Sequence, residues 1–93
     1  MISLTLRQQD VLRFIIGFQQ AKGFSPSFRE IAQGVGNRAV SRVALHLDVL
    51  EERGAIRRLA SRARAIEVLV QLPIPHASDG APLYHVRTEE ALA

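Results

Sequence analysis

The sequence predicts a mainly α-helical domain closed by a small β-hairpin and followed by an extended arm. Three observations lead there. Within residues 6–53, three segments repeat apolar residues at helical spacing, and each runs into a glycine. After Gly54 the pattern changes to the short apolar runs of strands. From Gln71 onward, Pro73, Pro75 and Pro82 forbid regular structure through most of the chain. Residues 1–70 are therefore expected to form the domain, and 71–93 the proline-containing arm.

Thr5-Leu6-Arg7-Gln8 fits a capping box, in which the Thr5 hydroxyl takes a backbone N–H and Gln8 reaches back. Val11, Phe14, Ile15 and Phe18 follow at helical spacing, and Gly23 after Lys22 is a stop, so a first helix spans roughly 6–22. A second box, Ser27-Phe28-Arg29-Glu30, opens a short helix carrying Ile31, Ala32 and Val35, ended by the Gly34–Gly36 region. A third helix is predicted from about Val40 to Arg53, with Asn37 the best available cap and Gly54 its terminating glycine. Its inward stripe is Val40, Val43, Ala44, Leu47 and Leu50. Residues 55–59 and 65–70 then read as strands around an arginine-bearing turn at 60–64. Three helices and such a hairpin make a winged helix-turn-helix.

Composition narrows the function. With no cysteine, disulfides and thiolate metal sites are excluded, and His46, His76 and His85 show no metal-like spacing. No glycine-rich phosphate loop or nucleophile motif is present, so neither catalysis, a cofactor nor a small-molecule ligand is expected. A signal peptide and a membrane-length apolar run are also missing, which makes a cytoplasmic protein the expectation. The net charge of +3 hides an asymmetry: residues 1–70 carry 11 basic and 6 acidic side chains, and ten of the basic ones are arginine. Arginine's planar fork grips phosphate and guanine edges in a way lysine does not, although a GC-rich genome also enriches it.

The arrangement suits double-stranded DNA. The second helix of a helix-turn-helix enters the major groove, where base edges present distinct donor and acceptor patterns. Arg38, Ser41, Arg42 and Leu45 form the outer N-terminal surface of the predicted third helix. Arg42 and Arg38 suit guanine, Ser41 a base edge or phosphate, and Leu45 a thymine methyl. The plainer alternative makes them solvent-facing residues, with Leu45 under the arm. In the hairpin, Arg57, Arg58, Arg62 and Arg64 fall within eight residues with no acid among them, and a duplex backbone would supply the missing negative charge. Ser27 and Arg29 would add phosphate contacts near the second helix's positive end. A winged helix binding another regulator is the competing reading.

These residues are also familiar as a set. Leu4-Thr5-x-Arg7-Gln8-Gln9-Asp10-Val11, Gly23-Phe24-Ser25-Pro26-Ser27 and Glu30-Ile31-Ala32-Gln33 resemble the N-terminal DNA-binding domain of the LexA repressors. The likeness continues through His46-Leu47-x-x-Leu50, Gly54-Ala55-Ile56, Ser61-Arg62-Ala63 and Ala65-Ile66, covering about residues 4–70. The resemblance implies a winged domain that binds operator DNA and represses transcription. It implies no self-cleavage here, because the family's Ser-Lys self-cleaving, dimerising domain does not fit in the remaining residues and the arm lacks the Ala-Gly cleavage dipeptide. Where the family typically reads Ser-Pro-Asn-Ala-Ala-Glu-Glu-His-Leu, residues 39–47 read Ala-Val-Ser-Arg-Val-Ala-Leu-His-Leu. His46 and Leu47 are kept, but Ser41, Arg42, Ala44 and Leu45 replace the residues that would face the groove, so the operator should differ.

Leu12 and Ile16 widen the apolar stripe of the first helix beyond what one buried face requires. With Leu72, Ile74, Leu83 and Tyr84 of the arm they are candidates for a homodimer contact; the alternative is that the arm covers the first helix of its own chain.

Overall fold

A computed structural model describes residues 4–36, 39–59, 66–72 and 76–80. Its elements run α1 (Leu6–Lys22), α2 (Phe28–Gly34), α3 (Val40–Glu52), β1 (Ile56–Arg58) and β2 (Ile66–Val68). Both capping boxes form. The Thr5 hydroxyl accepts the Gln8 N–H at 3.2 Å while Gln8 Oε1 accepts the Thr5 N–H at 3.0 Å. Ser27 and Glu30 repeat the exchange at 3.1 and 2.7 Å. Each box satisfies donors that a helix start otherwise leaves orphaned.

The start of α3 differs from expectation. Its N-cap is Ala39, which offers no side-chain hydrogen bond, in place of Asn37. Val40, assigned to the inward stripe, is 40% exposed, as the first turn of α3 stands clear of the other helices and Val43 is the first side chain to reach the core. The end of α3 is tightly specified. Ala55 N–H donates to the Leu50 carbonyl at 2.9 Å and Gly54 N–H to that of Glu51 at 3.1 Å, the paired bonds of a Schellman motif. Gly54 sits at φ 81°, which a Cβ would strain.

The core is aliphatic with two phenylalanines: Val11, Leu12, Phe14, Ile15 and Phe18 of α1 meet Ile31, Ala32 and Val35, then Val43, Leu47 and Leu50, with Ala55, Ile56 and Ile66 beneath the hairpin. This corrects the reading of Leu12. It is 1% exposed, since α1 packs against both α2 and α3 and needs a wide apolar surface inside its own chain. Leu12 is therefore unavailable to a second copy. Ile16 and Leu72 are half-buried and pack against this core, as do Val68 of β2 and Val70 beyond it. Ile74, Leu83 and Tyr84 lie outside the described residues.

The hairpin is antiparallel, with Ile56 opposite Val68, Arg57 opposite Glu67 and Arg58 opposite Ile66. It is also bound to α1 and to the connection that follows it. Gln19 Nε2 donates to the Ile66 carbonyl at 2.8 Å, and the Ile66 N–H donates to Ser25 Oγ at 3.1 Å. Both backbone groups of Ile66 are thereby satisfied from outside the sheet. Among the described residues, no helix is long and apolar enough to cross a membrane.

Candidate nucleic-acid interface

The α2–turn–α3 unit leaves one surface of α3 open. Ser41, Arg42 and Leu45 are all exposed, and Leu45 is 61% exposed, so the described part of the arm does not cover it. Arg38 lies outside the described residues. Arg42 has no carboxylate partner among the described residues, in contrast to the arginines of the hairpin. The three described side chains offer a cation with a fork of donors, a hydroxyl and an apolar cap within two turns of one helix. That set can read both polar and methyl edges of base pairs.

At the head of α2, Arg29 is exposed, whereas Ser27 is half-buried with its oxygen occupied by the Glu30 N–H. The Glu30 carboxylate is bound to the Ser27 N–H and so sits at the positive end of that helix. Ser27 is thus chiefly a cap.

The arginines of the hairpin do not all lack acids, as the local sequence had suggested. Arg57 Nε donates to Glu67 Oε1 at 3.0 Å across the strand pair. Arg58 is more deeply engaged: Nε and Nη2 reach Glu51 Oε1 at 3.0 and 2.8 Å, Nη2 also pairs with Asp48, and its N–H donates to Glu51 Oε2 at 3.3 Å. Hydrogen bonds from the Arg58 side chain, then from its backbone, hold the Glu51 carboxyl below its ordinary range. Bonds to Asp48, then Glu51, push the Arg58 pKa up. The negative charge that Arg57 and Arg58 required comes from the opposite strand and from α3. Arg62 and Arg64 lie outside the described residues.

Arg58 shares the strand face of Ile56, which directs it toward α3. Exposed ion pairs contribute little stability, so its main effect is to fix the angle between hairpin and helix. Replacing both Asp48→Asn and Glu51→Gln is expected to speed amide exchange in β1 with little change in global stability. Exchange in β1 at the original rate would show that the pairs do not hold the hairpin.

His46, one turn beyond Arg42, was kept in the sequence reading only as a scaffold position. Its Nε2 is buried without a hydrogen-bond partner among the described residues. Burial first, then the charges of Arg7 and Arg42, lower its pKa from the ordinary 6.5. A depressed native pKa means that the unfolded chain binds the proton more readily. His46 therefore contributes stability above pH 6.5 that is lost as pH falls below that value toward the native pKa. Thermal melts across that window are expected to show the decline, and His46→Gln to flatten it; an equal decline in both proteins would assign it elsewhere.

An open groove of about 840 Å³ lies away from the outer surface of α3, lined by Ile16, Gln19, Val68, Val70, Leu72 and His76 among others. It is where the first residues of the arm pass over α1.

Three helices, an open outer surface on the third and a two-stranded hairpin braced against it define the winged helix-turn-helix class. Residues 1–65 match the LexA DNA binding domain. The chain belongs to that family. It is 54% identical over 69 residues to the LexA repressor of Bacillus thuringiensis (strain Al Hakam), covering 74% of this chain and 34% of that protein. With the LexA repressor of Koribacter versatilis it shares 44% identity over 69 residues, 74% of this chain and 33% of the relative. An alignment of 101 positions with the LexA repressor of Bacillus mycoides (strain KBAB4), at 44% identity, takes in 97% of this chain and 50% of the relative. The chain thus spans between a third and half of the length of these curated relatives.

Proposed function

We propose that this chain is a sequence-specific, double-stranded-DNA-binding transcriptional regulator, a repressor whose operator differs from that of the LexA repressors it resembles. The observation that carries this reading is the exposed, acid-free surface of Ser41, Arg42 and Leu45 at the start of α3. Arg38 extends that surface in the sequence. Arg62 and Arg64 at the hairpin turn, with Arg29 on α2, supply backbone contacts; Arg57 and Arg58 act mainly by shaping the hairpin, and Ser27 by capping. Support for a changed operator comes from residues 39–47, where side chains of different chemistry stand in the positions that would face the groove.

Selection of bound duplexes from a random library tests the reading. It is expected to recover a defined motif with a guanine opposite Arg42. Binding to unselected duplex is expected to fall with salt, at a slope of about −0.9 in log K against log salt for each phosphate neutralised. Arg62→Ala should reduce that slope by about one and weaken all sequences alike.

A second reading has one observation in its favour: Val40 and Leu45 are both exposed apolar residues on α3, as a protein-docking helix would present. Absence of duplex binding even at very low salt would favour it. Homodimerisation retains only Ile16, Leu72 and the undescribed arm residues as its surface, since Leu12 is interior. A strictly monomeric mass by light scattering at high protein concentration would remove it.

A further inference from the structure

Each helix carries an arginine in its first turn: Arg7 in α1, Arg29 in α2 and Arg42 in α3. Arg13, Arg57 and Arg58 have carboxylate partners, while these three have none among the described residues. Neither α1 nor α3 has an acidic residue in its first turn. A cation at that end opposes the helix dipole, so Arg7 and Arg42 occupy positions that local electrostatics disfavours.

Arg7 is the one whose place is fixed. Its Nη1 donates to the Val35 carbonyl at 3.0 Å, joining the start of α1 to the turn that leads from α2 into α3. One of five guanidinium donors is used, and the others have no acceptor among the described residues. After burial, the charges of Arg7 and Arg42 lower the His46 pKa. The Nε2 of His46 is buried and has no hydrogen-bond partner among the described residues.

Building on the DNA reading above, we propose that Arg7 is a phosphate-binding residue: held at the α2–α3 turn by the Val35 carbonyl, it grips a backbone phosphodiester beside the groove that α3 enters. The Val35 bond orients the fork, so little side-chain freedom is lost when the phosphate is gripped. A phosphodiester would also supply the negative charge that the openings of α1 and α3 lack.

The test is salt-dependent binding of the 93-residue chain to random-sequence duplex, because phosphate contacts carry no base information. Arg7→Ala and Arg7→Gln are each expected to weaken random and selected duplexes by the same factor, about tenfold at low salt, and to lower the salt slope by about one. Arg7→Lys should keep the slope. Arg13→Ala, whose partner is Asp10, should alter neither quantity. Thermal melts identify any variant that has lost its fold; if the alanine variant has, the glutamine and lysine variants decide, since both lose the fork and only one loses the charge. A folded Arg7→Gln with unaltered slope and affinity would overturn the assignment and leave the DNA reading standing. Failure of the unaltered chain to bind any duplex would overturn the DNA reading, and this assignment with it.

Discussion

Gly34→Ala is expected to destabilise the fold by about 1–3 kcal/mol, although alanine is the better helix former. Gly34 closes α2 where the Phe14 ring crosses it, and a Cβ there would stand 1.8 Å from Phe14 Cε2 and 2.3 Å from Cδ2. The ring cannot simply swing away: Phe14 is 2% exposed, and its centroid lies 5.7 Å from that of Phe18. Two effects of opposite sign compete. Helix propensity favours alanine by about 1 kcal/mol, and overpacking in a filled core costs about 1–3 kcal/mol. The contact distances decide for overpacking. In a domain of this size each kcal/mol lowers Tm by about 4–8 °C, so melts read the result directly. Phe14→Leu in the Gly34→Ala background should recover part of the loss, and a double-mutant cycle would show strong coupling. A rise in Tm for Gly34→Ala would mean that the packing around Phe14 yields more readily than the geometry indicates.

Arg42→Ala is the second large effect, and it falls on recognition. Arg42 is exposed and makes no ion pair among the described residues, so thermal stability should not fall. Binding to the best selected duplex should weaken by about 1–3 kcal/mol, with preference relaxed at one base pair. Random duplex should lose much less than the selected one. This pattern contrasts with that of Arg62→Ala, expected to weaken every sequence equally. Identical profiles for the two variants on selected and random duplexes would show that the proposed division between helix and hairpin is wrong.

Local features of the fold were legible because their causes lie within a few residues. Thr5 with Gln8 and Ser27 with Glu30 announce helix starts by spacing alone, and Gly23 and Gly54 announce ends. Periodicity located α1, α3 and both strands. What sequence spacing could not supply was which neighbours a face would meet. Leu12 looked surplus because α1 was given one buried face, whereas two helices pack on it. Val40 satisfied the period of the inward stripe but precedes the part of α3 that touches the core. The acids serving Arg57 and Arg58 lie ten residues away on the facing strand and seven to ten residues back on α3, outside any local count of charge. For the candidate interface, helical geometry alone placed Ser41, Arg42 and Leu45 on the open side of α3, where they are exposed. The contact of Arg7 with Val35, 28 residues away, exists only in the folded chain and had no signal in the local sequence.

The hairpin is fastened at both of its strands: β2 to α1 through Gln19 and to the α1–α2 connection through Ser25, and β1 to α3 through Arg58. Its distance from α3 is therefore set before any ligand arrives. A module built this way behaves as a caliper with locked jaws. Targets in which the two contacted stretches are moved apart or together by a single base pair should be rejected even when every preferred base is present.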